Sequence, residues 1–428
     1  MNSWSERDKK VIWHPFTHLK FAESEIFIDK TEGTYYFDQH GNKIIDAISS
    51  WWVNLHGHRN PHIVEKIKDQ LQKNEHSIFS GFTHQGAIEF AERILTHLPA
   101  NQSKIFYSDN GSTAVEVALK MCIQYWENLK KPKSKFIAFE GAYHGDTFGG
   151  MSVAERNAFN RPFKNFLFDV EFFPIPEIDK ELPINYFSKF EELVSGDDIA
   201  GFIFEPLVQG AGGMKMMDEE SLSQLIKIAK AKQVLCVADE VMTGFGRTGT
   251  FFATDQLSVM PEIICLSKGI TGGFLPMGLT SCSDEIFAAF ISDHKTNTFF
   301  HGHSYTANPL SIAAALGNLD LMEKKETWDS IERISKHHKD QIQQLRSHPS
   351  VSKIRCKGTI FALDLVTKEE NSYLNSASDL ITSFFIKKGI LLRPLGNTLY
   401  VIPPYCISEG DLKTIYQNIK IFLDDFKI

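Results

Sequence analysis

The chain has 428 residues, of which 43% are hydrophobic and 23% charged, with a formal net charge of −8. A single core stops growing near ~250–300 residues, so this length calls for two domains or one long domain with an accessory lobe, and the composition excludes disorder and collagen-like repeats. No block of like charge offers a footprint for DNA, RNA or an anionic membrane, and no stretch approaches the ~18 apolar residues of a membrane span, so neither nucleic acid nor membrane is an expected partner.

The first ten residues are polar and charged and lack the apolar region of a signal peptide, so a cytoplasmic protein is expected. Short alternating segments at 34–37 and 43–47, around a turn at 38–42, predict an antiparallel entry region. Asn60 and Pro61 then read as cap and first position of a helix with Val64, Ile67 and Leu71 on one face. From about residue 100 to 282, short apolar runs at 104–107, 135–139, 201–204, 234–238 and 263–266 alternate with helical patterns. Runs that are apolar throughout suit strands covered on both faces. One intervening segment places Leu222, Leu225, Ile226 and Ala229 at helical spacing, and the fold class is therefore α/β with a mostly parallel sheet. Segment 111–126 carries a single polar stripe, Ser112, Glu116, Lys120 and Gln124, on an otherwise apolar helix, which belongs in deep core or at a subunit interface. Beyond about 330, strand-like pieces at 361–366, 390–392 and 399–402 with two helical segments predict a smaller α+β lobe, which residues 1–58 join. The division is thus 59–325 for the large domain and 1–58 with 326–428 for the small one. The six cysteines lack the clustered spacing of a disulfide framework or zinc ribbon and read as reduced thiols, with Cys122, Cys236, Cys265 and Cys282 in or beside core runs.

Open α/β sheets bind ligands outside the carboxyl ends of their strands. After run 104–107 come Ser108-Asp-Asn-Gly-Ser112 and a helix, whose free N–H groups and hydroxyl suit a phosphate, although on this motif alone a plain helix cap is the stronger reading. Tyr143, His144 and Asp146 follow the next run and put a ring and a carboxylate at the same edge. Asp239 ends a nearly apolar strand and needs a cationic or N–H partner there. Lys268 ends another and precedes a glycine-rich turn; a desolvated lysine is a nucleophile. Phosphate cradle, aromatic face, carboxylate and lysine together match pyridoxal 5'-phosphate, which has a phosphate, a flat ring, a pyridine nitrogen and an aldehyde.

Over nearly its whole length the chain resembles the class III pyridoxal-phosphate aminotransferases of fold type I. The resemblance is carried by Asp109-Asn-Gly-Ser-Thr-Ala-Val-Glu116, Tyr143-His-Gly-Asp146, Phe204-Glu-Pro206 with Gln209-Gly-Ala-Gly-Gly213, Ala238-Asp-Glu240 with Thr243-Gly-Phe-Gly-Arg-Thr-Gly249, and Leu266-Ser-Lys-Gly269. Trp13-His-Pro15, Ser49-Ser-Trp-Trp52, Leu392-Arg-Pro394 and Ile402-Pro-Pro-Tyr405 resemble the branch that acts on 8-amino-7-oxononanoate in biotin synthesis. The resemblance implies a large domain with a mostly parallel sheet, a small domain built from both termini, and a homodimer with shared active sites. It implies that Lys268 bonds the cofactor aldehyde and moves the proton, that Asp239 partners the pyridine nitrogen, and that Tyr143 stacks near the ring. Gly111 and Ser112 would bind the phosphate, with His303 and Ser304 reaching it from a neighbouring subunit. Trp51 and Trp52 would line the slot for the aliphatic chain of the keto acid, Gly302 would border it, and Arg393 would take its carboxylate. Phe16 stands where the family often has tyrosine, and His301-Gly-His-Ser-Tyr305 differs from the His-Gly-Pro-Thr form. The resemblance implies S-adenosylmethionine as the donor, and because both departures lie near the donor site lysine stays open; ornithine or 4-aminobutyrate would mark another class III enzyme.

Bland roles remain for single residues. Arg247 and Asp146 read as salt bridges at a pocket rim, and Glu205 as a cap of the turn before Pro206. Gly244-Phe-Gly-Arg-Thr-Gly249 matches a dinucleotide expression, but no clear helix opening follows it. Histidines 56, 58, 62, 144, 301 and 303 lie in glycine-rich turns without a zinc-binding helix motif, and no metal site is expected.

Overall fold

The computed structural model describes residues 4–20, 25–368, 375 and 377–426. Its largest sheet has seven strands: β1 (Gln102–Ser108), β2 (Lys135–Phe139), β3 (Val170–Phe173), β4 (Ile199–Phe204), β5 (Leu235–Asp239), β6 (Ile263–Leu266) and β7 (Gly278–Ser283), in the order β1-β7-β6-β5-β4-β2-β3. All run parallel except β7, which is antiparallel to both neighbours. The five expected runs are all strands. The two the pattern did not pick out have physical reasons: β3 is a short edge strand, and β7 is fully buried yet polar. Its hydroxyls are satisfied inside, Thr280 by the Ala114 carbonyl at 2.8 Å and Ser281 by Gln102 at 2.8 Å, so burial there needs no apolar run.

Helix α1 (Gly111–Asn128) buries Ala114, Val115, Ala118, Leu119 and Cys122 against one face of this sheet and leaves its polar stripe at the surface. The expected helix at Asn60 is Pro61–Leu71, with the Asn60 side chain accepting the His62 N–H at 3.1 Å. Its buried residue is Ile63, however, and Leu71 is 56% exposed, because the helix meets the helix Pro309–Met322 on the face one position earlier.

The chain ends meet in a second sheet. Strands Ile28–Glu32, Tyr35–Asp38 and Lys43–Asp46 form an antiparallel set, and Ile390–Leu391 adds in parallel to the last. A third sheet holds Val351–Lys357, Ile360–Leu365 and Thr398–Val401, with helices Ala377–Lys387 and Glu409–Asp425 packed nearby. Cys122, Cys236, Cys265 and Cys282 are buried free thiols, each pushed up by burial. Among the described residues no helix is long and apolar enough to cross a membrane.

Candidate active site

The carboxyl ends of β1, β2, β5 and β6 open on one cavity of about 670 Å³. Of the expected site residues, Gly111, Ser112, Tyr143, Asp239, Lys268 and Trp52 line it.

One end is the start of α1. The Asn110 side chain accepts the Thr113 N–H at 2.9 Å while Thr113 Oγ1 accepts the Asn110 N–H at 3.1 Å, a reciprocal cap. By helix geometry the N–H groups of Gly111 and Ser112 then have no intrahelical acceptor, and the helix dipole favours an anion beside them. Glycine is required at 111 because a Cβ there would come within 2.8 Å of Val241. Gly145, at φ +116°, passes so close to Ser112 that any side chain would overlap it.

Asp239 is buried at the end of β5, and its expected partners are present. The Val241 N–H donates to Oδ1 at 3.1 Å and His144 Nδ1 donates to Oδ2 at 2.7 Å. Two hydrogen bonds satisfy the carboxylate where it leaves water. His144 stood in the motif, but its pairing with a residue 95 positions away has no local signal. Its buried Nε2 has no hydrogen-bond partner among the described residues.

Lys268 begins a 3-10 turn directly after β6, with a backbone φ of +46° that non-glycine residues rarely hold. Its Nζ lies 4.6 Å from the centre of the Trp52 ring. Burial pushes the amine down to about 8; Asp239 and Glu205 oppose that shift and Arg247 adds to it. Glu205 does more than cap a turn. Fully buried and lining the cavity, it accepts the Gly210 N–H at 2.9 Å and the Tyr143 N–H at 3.3 Å, and burial pushes it up to about 7. The Tyr143 phenol is likewise pushed up, by burial first and then by Asp146.

The two tryptophans separate. Ser49, Ser50 and Trp52 all have positive φ, in a turn held by the buried Asp46 carboxylate, which accepts the Ser50 N–H at 2.7 Å and the Ile48 N–H at 3.2 Å. Trp52 turns inward and donates to the Tyr400 hydroxyl at 3.1 Å. Trp51 is 38% exposed and sits outside the cavity, where the Arg393 guanidinium lies 4.5 Å over its ring and Phe16 meets it edge-on at 5.5 Å. Gly302, His303 and Ser304 lie on a surface turn that does not line the cavity, with His303 Nδ1 3.1 Å from the Asp109 carboxylate.

Arg247 corrects the salt-bridge expectation. It is 1% exposed and is held by carbonyls, of Pro403 at 3.1 Å and Asn54 at 3.2 Å. The histidines weighed as metal ligands have separate partners instead: His56 with Asn318, His58 with Asp46, His62 with Asp320, His301 with Lys120.

The cavity fits pyridoxal 5'-phosphate: an anion site at one end, an anchored carboxylate at Asp239, and a buried lysine whose amine is shifted toward its free base. The class III aminotransferase family model matches residues 20–423. Adenosylmethionine-8-amino-7-oxononanoate aminotransferase of Synechococcus elongatus is 46% identical over 420 residues, covering 97% of this chain and 98% of that one. The crystal structure of the enzyme of the same name from Methanocaldococcus jannaschii superposes with a TM-score of 0.91 at 34% identity, covering 97% of this chain and 98% of the other. A PLP-bound amine transaminase from an uncultivated Pseudomonas species superposes at 0.89 with 28% identity, covering 96% and 97%. Motifs, strand-end geometry and full-length similarity agree, and the chain belongs to the class III aminotransferases, with the α/β fold of the pyridoxal-phosphate-dependent enzymes.

Proposed function

We propose that this chain is a cytoplasmic transaminase that converts 8-amino-7-oxononanoate to 7,8-diaminononanoate in biotin biosynthesis, using pyridoxal 5'-phosphate as cofactor and S-adenosylmethionine as amino donor. The observation that carries the reading is the Lys268 amine, shifted down to about 8 by burial, in one cavity with an Asp239 carboxylate that accepts hydrogen bonds from His144 and Val241. The 46% identity to a relative of that name supports the substrate.

Bound in the cavity, pyridoxal 5'-phosphate supplies an electron sink that loosens a proton on the carbon bearing the amine. Gly111 and Ser112 hold its phosphate with backbone N–H groups, and Asp239 holds a proton at its ring nitrogen. His144 fixes the orientation of Asp239 by bonding the oxygen that Val241 leaves free. Lys268 Nζ, near neutrality in reach of its free base, takes the proton and returns it. Trp52 and Tyr143 wall the site from water. Outside, the Phe16, Trp51 and Arg393 cluster offers an apolar surface for an aliphatic chain and a fork for its carboxylate. Residues 1–58 with 326–428 form the small domain and 59–325 the large one, and in a homodimer Gly302, His303 and Ser304 border the neighbouring site.

The test is a half-reaction screen. The holoenzyme is mixed separately with S-adenosylmethionine, lysine, ornithine, 4-aminobutyrate and glutamate while the visible cofactor absorbance is followed. Loss of that absorbance with S-adenosylmethionine, and its return on adding 8-amino-7-oxononanoate, is expected. Response to ornithine or 4-aminobutyrate instead assigns another class III reaction. Response to lysine alone keeps the keto acid and changes the donor.

A further inference from the structure

The helix Pro309–Met322 is buried along most of its length, yet two of its buried residues are polar, Ser311 and Asn318. Seven residues apart, they share one face, and both donate to the segment that follows Lys268. Ser311 Oγ bonds the Pro276 carbonyl at 2.8 Å and Asn318 Nδ2 bonds the Ile270 carbonyl at 3.2 Å. That segment supplies a large part of the cavity wall, from Ser267 and Lys268 to Met277. It also closes on itself, Ser267 Oγ donating to the Met277 carbonyl at 2.7 Å and Thr271 Oγ1 to the Leu275 carbonyl at 2.7 Å. A buried amide in an apolar helix costs free energy unless both of its ends are bonded. Asn318 is fully buried and both are, since its Oδ1 takes His56 Nε2 at 3.0 Å. Burial pushes His56 down to about 4 against the opposing bond to Asn318, so near pH 7 the ring is neutral and has one N–H to give, which this bond places on Nε2.

The two ends of this bridge lead to two residues that meet in the cavity. His56 lies four residues after Trp52, and Ile270 lies two residues after Lys268, whose Nζ stands 4.6 Å from the centre of the Trp52 ring. The lysine backbone, at φ +46°, keeps a conformation that a non-glycine residue holds only where its surroundings impose it. The bond that closes its turn, from the Gly272 N–H to the Gly269 carbonyl at 2.8 Å, leaves the Ile270 carbonyl to Asn318. We propose that Asn318 and His56 are positioning residues for Lys268: through the His56–Asn318–Ile270 bridge they fix the lysine turn against the segment that carries Trp52, and so aim the amine at the cofactor aldehyde. The inference rests on the reading that Lys268 bonds that aldehyde.

Pyridoxal 5'-phosphate and pyridoxamine 5'-phosphate separate the aim of the lysine from the fit of the cavity. The first has an aldehyde with which the amine condenses, forming one C=N bond and releasing water; the second has an amine there and binds without that bond. Apoenzyme of the wild type, Asn318→Leu, His56→Leu, His56→Gln and Lys268→Ala is titrated with each compound by quenching of tryptophan fluorescence. Losing one such hydrogen bond corresponds to roughly a 2- to 10-fold change in affinity. Asn318→Leu and His56→Leu are expected to weaken pyridoxal 5'-phosphate by about that factor and to leave pyridoxamine 5'-phosphate unchanged, while His56→Gln, which keeps an N–H donor, holds the wild-type values. His56 is partly buried and lies on a loop, so His56→Leu and His56→Gln decide the question should Asn318→Leu fail to fold. Beside a Lys268→Ala protein that loses the preference for pyridoxal 5'-phosphate, equal weakening of both compounds, or of neither, overturns the inference alone. A Lys268→Ala protein that keeps the wild-type ratio overturns the role of Lys268 and the inference with it.

Discussion

Lys268 lines the cavity, and burial is the largest influence on its amine, moving it from 10.5 down to about 8; Asp239 and Glu205 resist, and Arg247 reinforces. The sign of a perturbation follows. Glu205→Gln removes a negative charge that favours the ammonium form, so the amine should fall below about 8. The midpoint pH for capture of pyridoxal 5'-phosphate by the apoenzyme, followed by absorbance, is then expected to drop, and an unchanged or raised midpoint would contradict this account. Arg393 makes a separable prediction. Its guanidinium stacks on Trp51 outside the cavity, so Arg393→Ala should raise KM for 8-amino-7-oxononanoate by about 10-fold or more, the loss of a charge-assisted hydrogen bond, and leave KM for the donor nearly unchanged. Steady-state kinetics with each substrate varied decides it, and equal effects on both would remove Arg393 from the carboxylate role.

Strand-end residues work here because the elements behind them hold still. The strand pair Val351–Lys357 and Ile360–Leu365 is tied to the loop before Met216 through one side chain. Arg355 bonds both oxygens of Asp364 at 2.9 Å, and its Nε donates to the Met214 carbonyl at 2.7 Å. Asp364, 7% exposed, also accepts from Thr398 at 2.7 Å. Arg355→Leu leaves this carboxylate buried without a cation, at a cost of about 3–5 kcal/mol, and should lower the urea midpoint clearly. The Arg355→Leu/Asp364→Leu pair should recover much of the loss, since the unpaired charge is then gone; a double variant as unstable as the single would show that the cost lies in packing. Elements with a single buried face were legible from periodicity, as in Glu219–Ala231, where Leu222, Leu225, Ile226 and Ala229 are all buried. The polar strand Gly278–Ser283 was not, because hydroxyls satisfied by Gln102 and Ala114 are invisible to a pattern of apolar residues.

At the scale of the molecule, the two chain ends share a sheet through Ile390–Leu391 beside Lys43–Asp46, and Ser49 Oγ bonds the Ile402 carbonyl at 2.7 Å. The turn that aims Trp52 at Lys268 is thus braced by residues some 350 positions downstream. The homodimer proposal belongs at this scale. Light scattering of the holoenzyme should give twice the 48.6 kDa of one chain, and a monomer mass at working concentration would sink a shared site.

The linear chain by itself determined the α/β class, the strand ends that matter and the chemistry gathered there. Each of those is written in a residue and its immediate neighbours: an apolar run, a cap, a lysine after a strand. Only the tertiary structure decided that His144 bonds Asp239, that Arg247 is buried among carbonyls, and that Trp51 and Trp52 part company. It also decided that the stripe on α1 fastens two separate segments. The reason is physical. Local sequence specifies which face of an element is apolar or polar, whereas the partner a polar group meets depends on which distant element packs opposite it.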